Sequence, residues 1–144
     1  MFTIKTNKIE TFLQKSPRNR LIILSQEKPD ELAFVDLGVE LSTAIEKQIN
    51  HKQISMVASD KLESIMQNSE STHPEIGKYT ALSNLGILFE KSLKFDFIHF
   101  LDVHSKNQTL IVYWEGEMEK NKLYFLSKNK GLQLDLTNIS HITI

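Results

Sequence analysis

The turn after the first apolar run is where an α/β protein would carry phosphate chemistry. Leu21-Ile22-Ile23-Leu24 has the character of a strand buried on both faces, and the polar connector Ser25–Glu31 follows it. This connector has no glycine, and three of its seven residues are carboxylates that would repel a phosphate. Neither G-x-x-x-x-G-K-[ST] nor G-x-G-x-x-G occurs in the chain, so no standard nucleotide-binding loop is predicted.

Other catalytic arrangements are also missing from the sequence. The chain has no cysteine, which excludes disulfides, thiolate nucleophiles and zinc ribbons, and it contains neither a G-x-S-x-G elbow nor an H-E-x-x-H pair. Asp96, His99 and Asp102 share the polar side of a predicted helix, a spacing more typical of a solvated face than of a metal site. The sequence therefore predicts a protein that is not an enzyme, with no cofactor and no metal.

Candidate contact residues come from one aromatic side chain and two basic groups. Trp114 ends the strongest strand pattern, Thr109–Trp114, at the position where α/β proteins bind ligands. The basic residues are Arg18 and Arg20 near the N-terminus and, after Trp114, Lys120, Lys122, Lys128 and Lys130. A ring beside such cations could stack on nucleic acid and neutralise its phosphates. Three glutamates interrupt this group, so Trp114 as an ordinary core or interface aromatic is the other interpretation.

The length and the charge narrow the class of protein. The chain has 144 residues and a net charge of −1, which fits a single domain over 1–144 with no overall attraction to nucleic acid or membrane. Charge is uneven, because residues 1–20 carry five basic and one acidic side chain. No apolar leader opens the sequence and no run approaches the ~18 apolar residues of a membrane helix, so we expect a cytoplasmic protein.

Hydrophobic periodicity predicts strands that alternate with helices. Helices are predicted at 3–16, 39–49, 58–67 and 94–105, and strands at 21–24, 32–37, 79–82, 109–114, 123–126, 132–136 and 141–144. Gly38 is expected to break the second strand, and Asn68–Pro74 has the polar, proline-ended composition of a loop. Alternation of this kind indicates an α/β domain with a mainly parallel sheet.

An ordered series of segments in the second half carries a family resemblance. The series consists of Leu82-Ser83-Asn84-Leu85-Gly86-Ile87-Leu88-Phe89, then Ser92-Leu93-Lys94, Phe100-Leu101, Ser105–Val112 and Trp114-Glu115-Gly116. It resembles the small P-loop protein of bacteriophage-exclusion (BREX) defence systems, in which a strand with an acidic Walker-B-type end leads through an Ile-Leu-Phe turn and a helix to a strand ending in Trp-x-Gly. Phe34–Ser42 resembles an earlier strand-to-helix segment of that family. The resemblance covers about residues 20–126.

The departures from that family concern its ATPase residues. The phosphate-binding loop and its helix are replaced by the short Ser25–Glu31 connector, and Ser83 and Gly86 stand where the acidic Walker-B pair would lie. Serine holds no magnesium as a carboxylate does, and glycine has no base to offer. The resemblance implies a three-layer α/β sandwich, P-loop NTPase-like with a mainly parallel sheet, shortened after the first strand and lacking Walker A and Walker B residues.

The short connector also constrains the sheet. A crossover to a neighbouring parallel strand takes at least about ten residues, more than Ser25–Glu31 provides. The strands at 21–24 and 32–37 should therefore pair antiparallel or have another strand between them.

Two functions follow from these observations. The resemblance implies a non-catalytic component of a prokaryotic phage-defence (BREX-like) or DNA-modification system that binds the other protein subunits. The alternative is a DNA- or RNA-binding accessory module that uses Arg18, Arg20 and the lysines of 120–130.

The sequence also favours self-association through an aromatic surface. Seven of the twelve aromatic residues fall within 95–125, more than one sheet face can bury, so a surplus is expected in an exposed patch. We expect a homodimer or a hetero-complex on the helix Lys94–Ser105, with Phe95 nearer the interface than Phe97. The alternative is a monomer with Phe95 tucked under the loop at 70–78.

Overall fold

A computed structural model of the chain describes residues 4–48, 50–125 and 132–144. The helices are α1 (Ile4–Gln14), α2 (Leu37–Ile45), α3 (Ile54–Gln67) and α4 (Phe97–Asn107), with 3-10 turns at Glu46–Gln48, Gly86–Phe89 and Lys91–Leu93. The strands are β1 (Leu21–Leu24), β2 (Phe34–Asp36), β3 (Ser71–His73), β4 (Gly77–Ser83), β5 (Thr109–Tyr113), β6 (Glu117–Glu119), β7 (Lys122–Tyr124), β8 (Gln133–Asp135) and β9 (His141–Thr143).

A mainly parallel sheet forms the centre of the molecule. Its strand order is β2-β4-β5-β1-β9, all parallel, and β3 adds antiparallel to β4. In β1, which lies between β5 and β9, all four side chains are fully buried. This confirms what the continuous apolar run Leu21–Leu24 predicted, since a strand covered on both faces needs no polar alternation.

Of the two arrangements expected for the strands at 21–24 and 32–37, antiparallel pairing or separation by another strand, the structure has the second. Because β5 and β4 lie between β1 and β2, the short connector does not have to join two adjacent parallel strands. The connector from Ser25 to Ala33 contains no helix but turns at Asp30 and Glu31, where the Leu32 N–H donates to the Pro29 carbonyl oxygen at 3.2 Å, and Leu32 is buried beside Tyr79. The Ala33 N–H donates to the Tyr79 hydroxyl at 2.8 Å, which fixes the end of the connector on β4.

Helices cover both faces of the sheet. Leu41 of α2, Leu62 of α3 and Leu101 of α4 share one core cluster with Leu21 and Ile23 of β1. On the opposite face Ile9 of α1 is fully buried against the other β1 side chains, Ile22 and Leu24. The alternation of β1 side chains between the two clusters follows from the two-residue period of a strand. The chain is thus an α/β protein with a parallel sheet between helices, an arrangement compatible with three layers.

The start of the sheet is joined to α4 by a buried amide. Asn19, fully buried, donates through Nδ2 to the Asp102 backbone oxygen at 3.1 Å, to Asp102 Oδ1 at 3.0 Å and to Ser105 Oγ at 3.0 Å. The Arg20 N–H donates to the Ser105 carbonyl oxygen at 2.7 Å. These bonds set where β1 begins relative to the C-terminal turn of α4.

The polar segment predicted as a loop at Asn68–Pro74 contains a strand, so that prediction is wrong. Ser71–His73 pairs antiparallel with the start of β4, and Gly77 adopts φ 85° where the chain turns back. His73 Nδ1 accepts from the Glu75 and Ile76 N–H groups at 3.0 and 3.3 Å and closes this turn. Polarity and Pro74 indicated a turn, but the strand forms because β4 offers a free edge beside it.

Residues between β5 and β9 form a second, antiparallel sheet with the order β6-β7-β8. Leu123 and Leu134 are buried in the core cluster shared with α2, α3 and α4, so this small sheet packs on the main body. The predicted segments 132–136 and 141–144 correspond to β8 and β9. The end of the predicted segment 123–126 lies outside the described residues.

Six of the aromatic side chains form a continuous series of ring contacts on the α4 side of the sheet. Ring centroids are separated by 4.6 Å for Phe89–Phe125, 5.8 Å for Phe89–Trp114, 6.2 Å for Trp114–Phe97, 6.1 Å for Phe97–Phe100 and 5.4 Å for Phe100–Phe95. Spacings of this size are typical of favourable ring–ring contacts. The expected surplus of exposed rings is wrong for the described residues, whose exposed large apolar side chains are Val39, Met56, Val103 and Leu132.

Phe95 precedes α4 instead of lying on it. Asp96 caps the helix by accepting from the His99 N–H at 3.0 Å, so α4 begins at Phe97 and not at Lys94. Phe95 and Phe100 flank the cap at the N′ and N4 positions, the arrangement of a hydrophobic staple. Phe95 is half-buried and Phe97 is 2% exposed, so Phe95 is the more accessible of the two, while the homodimer stays a prediction.

Replacing Phe95 with Glu tests the staple against an interface. Because the ring packs on Phe100, Phe95→Glu should lower the free energy of unfolding by about 1–2 kcal/mol and leave the molecular mass in light scattering unchanged. Met56→Glu, at an exposed position, is the control and should stay within about 0.5 kcal/mol of the parent. A variant that keeps its stability and halves in mass would instead place Phe95 in a homodimer interface.

Candidate functional site

A cleft of about 270 Å³ opens at the carboxyl ends of β4 and β5. This end of a parallel sheet is where α/β proteins bind ligands, because loops and helix N-termini converge there. The cleft is lined by Asn84, Leu85, Gly86, Phe89, Tyr113, Trp114, Glu115, Gly116 and Phe125. It therefore includes Trp114 and Gly86, two positions to which the sequence drew attention.

Trp114 forms a wall of this cleft and is held in place. Its side chain is 3% exposed, and its Nε1–H donates to the Glu117 carbonyl oxygen at 3.2 Å. The ring lies edge-on to Phe89, at an interplanar angle of 83°. A base can stack on a ring only where a face is open. Of the two interpretations of Trp114, its burial agrees with the core aromatic.

Gly116 is needed for the turn that follows Trp114. A Cβ at this position would lie 2.2 Å from the Tyr124 carbonyl oxygen and 3.0 Å from Trp114 Nε1. Any larger residue would push β7 away from the end of β5. Close packing against Trp114 and Tyr124 therefore explains the glycine of the Trp-x-Gly motif.

At the carboxyl end of β2, Asp36 caps α2 and binds the loop after β4. Its Oδ1 accepts from the Val39 N–H at 3.0 Å and from Asn84 Nδ2 at 2.8 Å. The Val39 N–H, followed by the Asn84 amide, holds the pKa of Asp36 below its ordinary value of 3.8. Asn84 itself adopts a left-handed φ of 55°, which asparagine tolerates better than most residues.

Gly38 is part of α2 and does not break a strand, so that prediction is wrong. Because Asp36 caps the helix, Leu37 and Gly38 already belong to its first turn. A Cβ on Gly38 would lie 2.3 Å from Asn84 Nδ2. The glycine therefore provides the space in which the Asn84 amide reaches Asp36.

Ser83, which the resemblance aligns with an acidic Walker-B residue, faces away from the cleft. It is 4% exposed, and its Oγ lies 3.5 Å from the Val35 carbonyl oxygen of β2. Gly86 does line the cleft but presents no side chain there. Neither position offers a carboxylate to a metal-bound phosphate.

The carboxyl end of β1 is closed by main-chain contacts. The Ser25 N–H donates to the Ile144 carbonyl oxygen at 2.9 Å, and Ser25 Oγ lies 3.3 Å from the same oxygen. Further along the connector, Lys28 Nζ lies 5.7 Å from the centroid of the Tyr113 ring, close enough for a cation–π contact. The connector is thus fastened down where a phosphate-binding loop would arch over the sheet.

The structure does not bring the basic candidate residues together. Arg18 and Arg20 precede β1 at the amino end of the sheet, whereas Trp114, Lys120 and Lys122 follow β5 at the carboxyl end. Since β1 and β5 run parallel in register, the two groups are separated by the length of a four-residue strand, about 13 Å. Lys128 and Lys130 lie outside the described residues.

Lys122 is flanked by acidic side chains across the small sheet. Its cross-strand neighbours are Glu119 on β6 and Asp135 on β8. Hydrogen bonds from Thr137 hold the pKa of Asp135 below its ordinary value, and the charge of Lys122 lowers it further. A lysine compensated in this way contributes little to phosphate binding, which depends on uncompensated charge.

The polar side of α4 is engaged in structural contacts. Asp96 caps the helix, and Asp102 binds Lys106 Nζ at 2.9 Å. His104 Nε2 lies 3.1 Å from Glu63 Oε1 on α3. Across 4–48, 50–125 and 132–144, no three His, Asp or Glu side chains are grouped to hold a metal ion.

No protein-family model matches the chain, and no curated protein or solved structure matches it either. The helices that the structure describes include none long and apolar enough to cross a membrane.

Sequence analysis missed the Asp36–Asn84 pair and the buried Asn19. An acidic residue just before an amphipathic run is a recognisable N-cap signal, so Asp36 and Asp96 could have been found from sequence. Asn84 lies 48 residues from Asp36, and Asn19 lies 83 residues from Asp102. Only the order of the strands brings these partners together.

The Asp36 cap gives a prediction with a definite pH dependence. Asp36→Ala should lower the free energy of unfolding at pH 7 by about 1 kcal/mol, the usual cost of losing an N-cap. Because the pKa of Asp36 is lower in the folded state, this contribution is present above the unfolded value and is lost as pH falls through the folded pKa. The difference between parent and variant in chemical denaturation should therefore shrink below about pH 4.

Asp36→Asn is the matched control for this prediction. Asparagine keeps an oxygen acceptor for the Val39 N–H but does not titrate, so it should keep most of the stability and lose the pH dependence of the cap. Equal stability of the parent and Asp36→Ala at pH 7 would show that the cap is not needed.

Proposed function

We propose that this chain is a non-catalytic component of a prokaryotic phage-defence system of the BREX type, or of a related DNA-modification system, and that it acts by binding partner proteins. The proposal combines the sequence resemblance, which implies a P-loop NTPase-like fold, with a mainly parallel sheet flanked by helices. It assigns no catalytic step and no cofactor to the chain, and it places the protein in the cytoplasm.

The observation that carries the proposal is the construction of the carboxyl end of the sheet. Three positions that would serve a phosphate in a P-loop protein have other roles. The connector after β1 is fastened to Tyr79, the N-terminus of α2 is capped by the carboxylate of Asp36, and Ser83 faces β2. A helix N-terminus attracts an anion only when its N–H groups are available, and here a negative side chain already occupies them.

Aromatic side chains pack together at the carboxyl end of the sheet. Phe89 contacts both Trp114 and Phe125 beyond β4 and β5, and the three rings line the cleft there. These ring contacts stabilise a shape. A domain that keeps its shape and has no site for nucleotide chemistry is suited to holding other subunits. This argument supports protein binding over catalysis.

The alternative, a DNA- or RNA-binding accessory module, has weaker support. It rests on Arg18, Arg20 and the lysines of 120–130, which the sequence placed in two basic groups. The described members of those groups lie at opposite ends of the sheet, and Lys122 has acidic neighbours on both sides. A single phosphate-tracking surface would need these cations on one face.

Co-purification tests the proposal directly. The chain, tagged and expressed at its natural level in its host, should co-purify with a methyltransferase, phosphatase-like or helicase subunit, and deletion of its gene should raise the plating efficiency of phage. Asp36→Asn provides a folded control that should retain the same partners, because the change leaves the surface shape intact. A chain that purifies alone, in a host whose phage resistance does not depend on it, would contradict the proposal.

A further inference from the structure

The outer edge of β9 is an open strand edge. The Ile144 N–H donates to the Ile23 carbonyl oxygen at 2.8 Å, and the Ile144 carbonyl accepts from the Ser25 N–H, so both groups of Ile144 face β1. In a parallel strand, alternate residues bond to opposite sides, so the N–H and C=O groups of His141 and Thr143 point outward. No strand within the described ranges pairs with that side of β9.

A groove of about 380 Å³ runs beside this edge, between β9 and α1. Its floor is apolar, because Ile142 and Ile144 pack in one cluster with Phe12. The helix contributes Lys8, Thr11, Phe12 and Lys15, which recur at the i, i+3, i+4, i+7 spacing of a single helix face. One face of α1 is therefore turned toward the open edge of the sheet.

The rim of the groove is basic. Lys8 and Lys15 are exposed, and they stand two helical turns apart, about 10 Å along α1. The acidic residue of α1, Glu10, is not part of the groove and accepts from Gln14 Nε2 at 3.3 Å. Among the described residues that line the groove, none is acidic. Two of the five basic side chains of residues 1–20 thus lie beside the outer edge of β9.

We propose that the open edge of β9, with the groove beside it, binds an extended acidic peptide segment of a partner protein by adding it as a further strand to the sheet. The outward N–H and C=O groups of His141 and Thr143 supply main-chain hydrogen bonds. The floor of Phe12, Ile142 and Ile144 takes apolar side chains from one face of the peptide, and Lys8 and Lys15 pair with its carboxylates. The inference rests on the proposed protein-binding function and gives the partner its chemistry.

An acidic peptide fits this surface better than nucleic acid does. Phosphates would use the two lysines but neither the apolar floor nor the strand edge. An extended peptide uses all three, because its backbone pairs with β9 while the side chains on its face toward α1, every second residue, meet both the apolar floor and the lysines. Peptide addition at an exposed edge is a general mode of recognition for sheets with an uncovered last strand.

The test uses a synthetic probe and fluorescence anisotropy. The probe is a fluorescein-labelled eight-residue peptide, Glu-Thr-Val-Thr-Glu-Thr-Val-Thr, in which Glu and Val lie on one face of the extended chain. We expect saturable binding to the full chain, with affinity at least about tenfold weaker for the same peptide with Lys in place of Glu. The same peptide N-methylated at every amide has no N–H to donate to the strand edge, so it should be weakened to a similar extent.

Charge-reversal variants locate the site. Lys8→Glu combined with Lys15→Glu should weaken binding of the acidic peptide by about tenfold or more. Lys52→Glu combined with Lys61→Glu makes the same change in net charge at exposed positions outside the groove and should leave binding unchanged. Thr143→Pro removes one outward N–H and should weaken binding while circular dichroism shows the parent fold, since proline is tolerated on edge strands.

Several results would overturn the proposal. Equal binding of the N-methylated peptide, or equal loss in the control pair of lysine variants, would show non-specific charge attraction. Binding of random duplex DNA that is lost in Lys8→Glu/Lys15→Glu, without binding of the acidic peptide, would assign this surface to nucleic acid. Failure of the peptide to bind while defence subunits still co-purify would reject only this surface. Peptide binding without co-purification would reject the proposed defence role instead.

Discussion

The nine residues between β1 and β2 constrain the rest of this structure. They must carry the chain from the carboxyl end of β1 past two strands to the amino end of β2. Because β2 lies three strand positions from β1, the connector must cover about 14 Å across the sheet. It must also run about 10–13 Å back along the strand direction, from the carboxyl end to the amino end. Nine extended residues reach about 30 Å, whereas nine helical residues would span only about 13.5 Å. The connector therefore cannot be helical over its length: it passes Tyr113 and Tyr79 with a turn at Asp30 and Glu31, and no helix lies between β1 and β2.

Two consequences follow from this connector, which contains no helix. One face of the sheet cannot be covered by a helix placed after β1, and α1, which precedes β1 in the chain, lies there instead with Ile9 fully buried. The carboxyl end of β1 also lacks the helix N-terminus that would hold a phosphate. The N-terminus of α2, at the end of the edge strand β2, is capped by Asp36, whose carboxylate also accepts from Asn84, while aromatic rings line the cleft at the end of β5. The position of α1 and the lack of a helix N-terminus directly after β1 share one cause.

Features determined by local pattern were predictable from sequence, and features determined by distant partners were not. The apolar run Leu21–Leu24 and the strand at Thr109–Tyr113 need only their own residues to identify them, and the length of the connector was enough to exclude β1 and β2 as adjacent parallel strands. The strand β3 was missed because its polar residues acquire a partner only when β4 is placed beside them. In the candidate site, Trp114 and Gly86 were found, while the Asp36–Asn84 bond depends on two strands becoming neighbours.

We propose that this mainly parallel α/β chain, which resembles a P-loop protein in sequence, binds proteins and performs no nucleotide chemistry at the carboxyl end of its sheet. Isothermal titration calorimetry of the full chain with ATP and magnesium tests this most directly. The account predicts no saturable heat, because the connector offers no glycine cradle and α2 is already capped by a carboxylate. A dissociation constant in the micromolar range would contradict it and would mean that a nucleotide site survives in this protein.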